Sequence, residues 1–480
     1  MKKAHLAILL MCTTSPLLAS TEVILTEKLL KEKVDSSAPN TLAIEASFLA
    51  VDLTRQSFED NFDLRLDGNA SYAKTNENSF SAQMPVTSPT KYYKLGLTKP
   101  LDSGISLGVN TFSEQITNSQ VYNGTKTGVG FEVSVDLYKN FLGRLTKSQR
   151  DVFEEAAKRA GSERDIQKKS FHQNVRKIYW SLVANQEQIN ISNQLEKFAQ
   201  TQLDDSKKRF KNNIADSGEV ARYESQLADR KANIITLKYQ REVYLQQIKE
   251  LIPELSNKQL KLGTYNIKEA ANQIFACTAL ISKFQEPPMQ YTNYDEILAN
   301  LRNEYDGQRK LTNSYSDMNI QFNSQLQRLG KTSGYGNSWS EFTDDGKNAF
   351  SAGVVLNIPL GESNKKSMEL KKLLEKKRYL SQKEELVGRV NAYHNQIIKN
   401  ILLLQEVMKQ QQINSSKLEL SFRESQKKYN QARLTVRELI QDQNQYFSSN
   451  LLEIKSQLQI MTTLLDYFSV YTEIPCELNI

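Results

Sequence analysis

The sequence predicts a mostly helical chain that carries two short blocks of β-strand and is built twice over. Three observations point there. Long proline-free stretches repeat apolar residues at helical spacing. Between them the apolar period drops to two. The same programme then returns in the same order about 219 residues later (Phe210 to Tyr429).

Composition fits long solvated helices better than compact sandwiches. The 480 residues include 19 Gly and 10 Pro, both low for this length. Mean hydropathy is −0.55, which excludes a polytopic helical membrane protein. Residues 1–20 read as a secretory signal: Lys2 and Lys3, then apolar Leu6 to Met11, then Pro16 to Ser20 ending in small residues. The alternative is a lipoprotein signal with Cys12 as the lipidated residue, although Met11 stands where a small residue is wanted. After this segment no apolar run approaches the roughly 20 residues of a spanning helix. An exported chain of this kind is periplasmic, secreted, or inserted as a β-barrel.

The net charge of +7 is spread along the helices and interleaved with acids, without a compact basic patch, so nucleic acid is not an expected partner. Beyond Cys12 the cysteines are Cys277 and Cys476, each outside the long helical stretches. In an oxidising compartment such a pair tends to bridge; the other reading is two separate buried thiols.

Taken in order, residues 41–60 place Leu42, Ala46, Leu49 and Leu53 at helical spacing. Alternation of apolar and polar residues marks strands at 62–67, 93–97, 105–109 and 131–137, with Gly, Asn, Ser and Pro between them. Residues 144–212 contain no Pro and one Gly, and predict a helix on the order of 100 Å long. Residues 212–218 break it, and a helix about half as long runs from 219 to 251, before Pro253. An irregular segment, 252–290, precedes the second round. That round has a short helix at 294–315, a strand at 319–328, and a Gly/Ser/Asp-rich loop at 330–347. A strand at 349–360, a long helix at 363–431 and a half helix ending near 471 complete it. The repeats are thus residues 21–251 and 291–471, with a linker at 252–290 and a tail at 472–480. Leu142-Gly143 matches Leu360-Gly361, Lys208-Arg209-Phe210 matches Lys427-Lys428-Tyr429, and Glu219 matches Glu438.

A long helix needs partners along its whole length, and a half helix plus a short helix nearly equal one long helix, so the pieces stack into a wall. The strands, apolar on one face and polar on the other, suit either a half-buried soluble sheet or a barrel with lipid outside and water inside. Four or six strands are too few for a water-filled barrel, so a barrel would close by joining copies.

At this point the chain resembles the TolC-type outer membrane factor family over nearly all of its mature length. The carrying residues are the junction Val355-Leu356-Asn357-Ile358-Pro359-Leu360-Gly361, its counterpart Val133-Ser134-Val135-Asp136-Leu137-Tyr138, and the tips at 210–226 and 429–445. The resemblance implies a homotrimer with a 12-stranded barrel, four strands per chain, on a helical periplasmic tunnel in the outer membrane. It implies a passive exit duct for an efflux pump or type I secretion system, working through a periplasmic adaptor and an inner-membrane pump or ABC transporter. The competing reading is a periplasmic coiled-coil adaptor or structural protein. One departure is a surplus hairpin in the first half, residues 92–112, which either lengthens the extracellular loop or adds strands to the four.

No HExxH, Cys-x-x-Cys, nucleophile elbow or Gly-rich phosphate loop is present, so neither an enzyme nor a cofactor is expected. The resemblance instead directs attention to the tips. Glu219 and Glu438 match acids that ring the periplasmic entrance, where three converging carboxylates would attract cations. As helix residues they are equally favourable first-turn charges. Tyr429 matches a latching tyrosine, with Arg433 and Asp442 within reach. Phe210, Asn213, Gly218, Ala432 and Leu434 form the adaptor-docking tips. Ala432 replaces the usual Gly at its turn, and Leu434 stands where an Arg occurs in the best-known pattern. Trp339, in the second-half loop, is a candidate interfacial aromatic, and Trp180 a wall residue.

Overall fold

The computed structural model describes residues 22–470 apart from 78–85, 87, 118–122, 271, 273–291, 316, 317, 359, 361 and 362. The signal segment 1–20, the tail 472–480, Cys277 and Cys476 lie outside the described residues.

The first half contains β1 (Glu22–Leu25), α1 (Glu27–Ser37), α2 (Pro39–Glu59), β2 (Arg65–Ala73), β3 (Thr90–Pro100), β4 (Ile105–Thr117), β5 (Asn123–Asp136), α3 (Arg144–Lys211) and α4 (Ser217–Leu251). After β6 (Gln259–Leu262), the second half contains α5 (Asn293–Ser314), β7 (Asn319–Thr332), α6 (Tyr335–Asp345), β8 (Lys347–Asn357), α7 (Ser363–Asn430) and α8 (Val436–Val470). Helices α3 and α7 have 68 residues each, and α4 and α8 have 35 each. Each second-half member begins and ends 219 residues after its counterpart (Arg144 to Ser363, Leu251 to Val470).

Contacts divide the chain into two compact units. One holds Glu45–Asp165 and Thr292–Val390. Its centre is an antiparallel sheet in the order β2-β3-β4-β5-β7-β8. The register aligns Leu66, Leu97, Val109, Phe131, Leu326 and Phe350 in one row across all six strands, every one exposed. On the opposite face Glu132 accepts hydrogen bonds from Asn110 (2.6 Å), Gln325 (2.9 Å) and Lys94 (3.2 Å). One face is therefore an apolar band and the other a polar lining, while edge strands β2 and β8 are exposed along their whole length.

Two expectations are corrected here. The surplus hairpin is β3–β4 and joins the sheet, giving six strands per chain rather than the four that a trimeric 12-stranded barrel requires. The loop expected at 330–347 contains α6 instead. Its Ser338 hydroxyl sits against the carbonyls of Thr125 (3.1 Å) and Gly330 (2.9 Å) and the Thr127 hydroxyl (2.8 Å), so tertiary hydrogen bonds fix a helix that its composition disfavours.

The β3–β4 turn packs on the start of α3. Gly143 has φ +77°, and a Cβ there would stand 2.3 Å from the Asp102 carbonyl. Arg150 on α3 grips Glu59 of α2 through two nitrogens (2.7 and 3.0 Å) and Asp102 at 3.2 Å. The α3 N-terminus is capped by Asn140, whose side-chain oxygen accepts the Leu145 and Thr146 N–H groups at 3.0 Å.

The other unit takes residues up to Ile44, Ile166–Tyr291, and Asn391 onward. A parallel β1–β6 pair, unforeseen from sequence because each strand has four residues, joins the chain start to the inter-repeat segment. Its buried core includes Tyr179, Trp180, Leu182, Leu195, Tyr223, Ile248 and Tyr467.

Candidate functional site

The breaks between long and half helices are built alike, and both lie in this second unit. At the end of α3 the Ile214 N–H reaches the Arg209 carbonyl (2.8 Å) and the Asn213 N–H reaches the Phe210 carbonyl (3.0 Å). At the end of α7 Arg433 bonds Lys428 and Ala432 bonds Tyr429, both at 2.9 Å. This is the doubly bonded helix stop that needs one left-handed residue. Asn213 (φ 56°) and Ala432 (φ 57°) supply it, 219 residues apart. Asparagine tolerates that conformation; alanine does so at a cost of about 1 kcal/mol.

Each turn hands over to a capped helix. Asp216 accepts the Glu219 N–H at 2.6 Å. In the second half the exchange is reciprocal: Thr435 Oγ1 accepts the Glu438 N–H (3.3 Å), while the Glu438 carboxylate accepts the Thr435 N–H (3.0 Å) and hydroxyl (2.7 Å). Those bonds hold the Glu438 carboxyl below its ordinary pKa.

Arg209 joins the two turns. Its Nη1 donates to the Glu219 carboxylate at 3.1 Å and to the Tyr429 hydroxyl at 2.6 Å, and its guanidinium lies 5.7 Å from the Tyr429 ring centroid. Nearby, Tyr223 is fully buried with Ala199, Leu203 and Leu227, against Val220, Val436 and Ile440. Burial, then the neighbouring Tyr429 and Glu219, raise the Tyr223 phenol well above its ordinary pKa, so it stays neutral.

The expected tip residues divide accordingly. Glu219 and Tyr429 meet, but through Arg209, which sequence reasoning used only for register and did not assign a role. Within the chain Tyr429 is not latched by Arg433 or Asp442: the Arg433 backbone closes the turn, and Asp442 pairs with the Ser425 hydroxyl. Glu438 is engaged as a cap. Phe210, Asn213, Gly218 and Ala432 are exposed, Leu434 is half-buried, and Ile214, not singled out from sequence, is exposed beside them. Trp339 lies on α6, 40% exposed, while Trp180 is buried. The arrangement is a charged, hydrogen-bonded tie between two helical hairpins, with apolar side chains displayed at its end.

Among the described residues no group of three or more His, Cys, Asp or Glu is placed to hold a metal. No described helix is long and apolar enough to cross a membrane.

No protein-family model matches the chain, and no curated protein matches it by sequence. Solved structures do. The outer membrane protein VceC from Vibrio cholerae superposes with a TM-score of 0.64 at 12% identity, over 92% of this chain and 95% of that one. The Campylobacter jejuni CmeC outer membrane channel gives 0.66 at 10% identity, over 98% and 92%. The open state of the Neisseria gonorrhoeae MtrE outer membrane channel gives 0.63 at 12% identity, over 92% and 88%. At such identities the likeness is one of fold, carried by almost the full length of both chains: the chain has the fold of the TolC-type outer membrane channels.

Proposed function

We propose that the protein is an outer-membrane efflux channel, the passive exit duct of a tripartite pump or type I secretion system. The observation that carries this is the six-stranded sheet, with an apolar band on one face, a polar lining on the other and both edges open. An apolar band exposed on one face has lipid as its natural solvent. In this reading β8 of one copy pairs with β2 of the next, and three copies close the barrel. An even number of antiparallel strands per chain keeps that junction antiparallel too.

The tunnel helices extend into the periplasm and the tips form its entrance. The Arg209–Glu219–Tyr429 tie holds the entrance shut. Phe210, Asn213, Gly218, Ala432 and Leu434 meet a periplasmic adaptor, which recruits an inner-membrane pump or ABC transporter. The 21–251 and 291–471 halves are two copies of one ancestral unit, and Trp339 belongs to the interfacial aromatics.

Membrane fractionation tests the reading, with gels of detergent-extracted protein, unheated and boiled, after mild cross-linking. The expected result is outer-membrane recovery and a species near three times the protomer mass. A soluble periplasmic monomer would overturn it in favour of a coiled-coil adaptor.

A further inference from the structure

Along the first four or so helical turns from the tips, α4 and α8 flank an open groove of about 560 Å³, a size usual for small-ligand sites. Its lining is rich in hydrogen-bond donors. Arg222 and Arg230 enter from α4 and Arg437 from α8, while Asp229 is the one carboxylate that lines it. Among the described residues neither Arg222 nor Arg437 is ion-paired. Arg230 donates to the Asn444 side chain, and its buried Nε has no partner. Gln226, also in the lining, is 8% exposed, and neither of its amide atoms has a partner.

Three guanidiniums and one carboxylate leave the lining with a formal charge of +2, and a buried amide without partners costs free energy. One occupant relieves both. Guanidinium forks match the oxygens of phosphate and carboxylate, and more than one negative charge is needed to balance the excess. We propose that this groove binds a small multivalent anion of the polyphosphate or polycarboxylate class, held by Arg222, Arg230 and Arg437 with the Gln226 amide as a further donor. The bound anion bridges α4 to α8 and adds a second tie between the hairpins that Arg209 joins. Its effect on the entrance rests on the channel reading; the binding does not.

Isothermal titration of the full-length, detergent-extracted protein with pyrophosphate in dilute buffer tests the site. Saturable binding is expected. The Arg222→Gln/Arg437→Gln double variant should bind about tenfold more weakly or worse, because two charge-assisted contacts are lost. Asp229→Asn should bind more tightly, since it removes the opposing charge; this gain cannot arise from misfolding. Absence of saturable binding in the wild type overturns the proposal, as does an unchanged affinity in the double variant with native helical content. Planar-bilayer recordings then separate the two readings. Pyrophosphate should lower wild-type conductance and leave the double variant unaffected, whereas a protein that binds pyrophosphate yet conducts nothing even with Arg209→Ala keeps the site and refutes the channel.

Discussion

Arg209 makes two polar contacts to residues 10 and 220 positions away, and it is the side chain on which the tip tie turns. Arg209→Ala should leave Glu219 without its cation and Tyr429 without its donor. In planar bilayers single-channel conductance should rise several-fold relative to wild type; an unchanged value would remove the tie from the closed state. Ala432, held at φ 57°, gives a second expectation: Ala432→Gly should stabilise the protein by about 0.5–1 kcal/mol in thermal unfolding, by relieving left-handed strain. Glu438 gives a pH dependence. Its folded pKa lies below the ordinary value, so its contribution is complete above about pH 4.5 and fades as pH falls through the folded value. Hydrogen-exchange protection in the first turn of α8 should therefore hold down to about pH 4.5 and drop below it. Tyr429, Glu219 and Glu438 were singled out in the sequence because the family resemblance points to those positions at the two helix breaks. Arg209 was not, because its partner Tyr429 lies on another hairpin, and no local pattern reports which distant side chain a guanidinium will meet.

At the scale of elements, the long helices were the easiest to read. Almost no Gly and no Pro interrupt them, so period and length are both visible, and the predicted ends of α3 and α7 lie within a residue of those observed. Short elements were not legible. Four-residue strands such as β1 and β6 carry too little periodicity to stand out, and they exist because they pair with each other. Helix α6 was read as a loop because Gly, Ser and Asp dominate its segment. Its order comes from Ser338, fully buried, and from Arg328, which donates to the carbonyls of Phe342 (3.1 Å) and Thr343 (3.3 Å) at its end. Ser338→Val should leave the carbonyls it satisfies without a donor, at about 1–3 kcal/mol of local stability. Limited proteolysis should then cut within residues 333–346 faster than in wild type.

For the whole molecule the strand count has the widest consequence. Six strands per chain put eighteen in a ring of three copies, where the family resemblance had implied twelve. Barrel diameter grows roughly in proportion to strand number, so the bore should be about one and a half times that of a twelve-stranded ring. Electron-microscopic maps of the extracted assembly should resolve eighteen strands; a ring of twelve would mean that copies meet by some other arrangement. The alternating pattern of the surplus hairpin was legible, but its membership of the sheet was not, because alternation says which face is apolar without saying what the strand pairs with.

The seat of the β3–β4 turn on α3 bears on how freely the hairpin can be altered. A hairpin inserted between existing strands begins as an ornament and can be lost as readily as it was gained. Here the hairpin is part of the frame. Its Asp102 shares Arg150 with Glu59, and its backbone fills the space that a side chain at position 143 would need. Deleting the hairpin would take two strands from the sheet and also remove the floor beneath the first turn of a 68-residue helix. The hairpin's sequence can vary, but its removal would undo the packing at the start of α3 as well as two strands of the sheet.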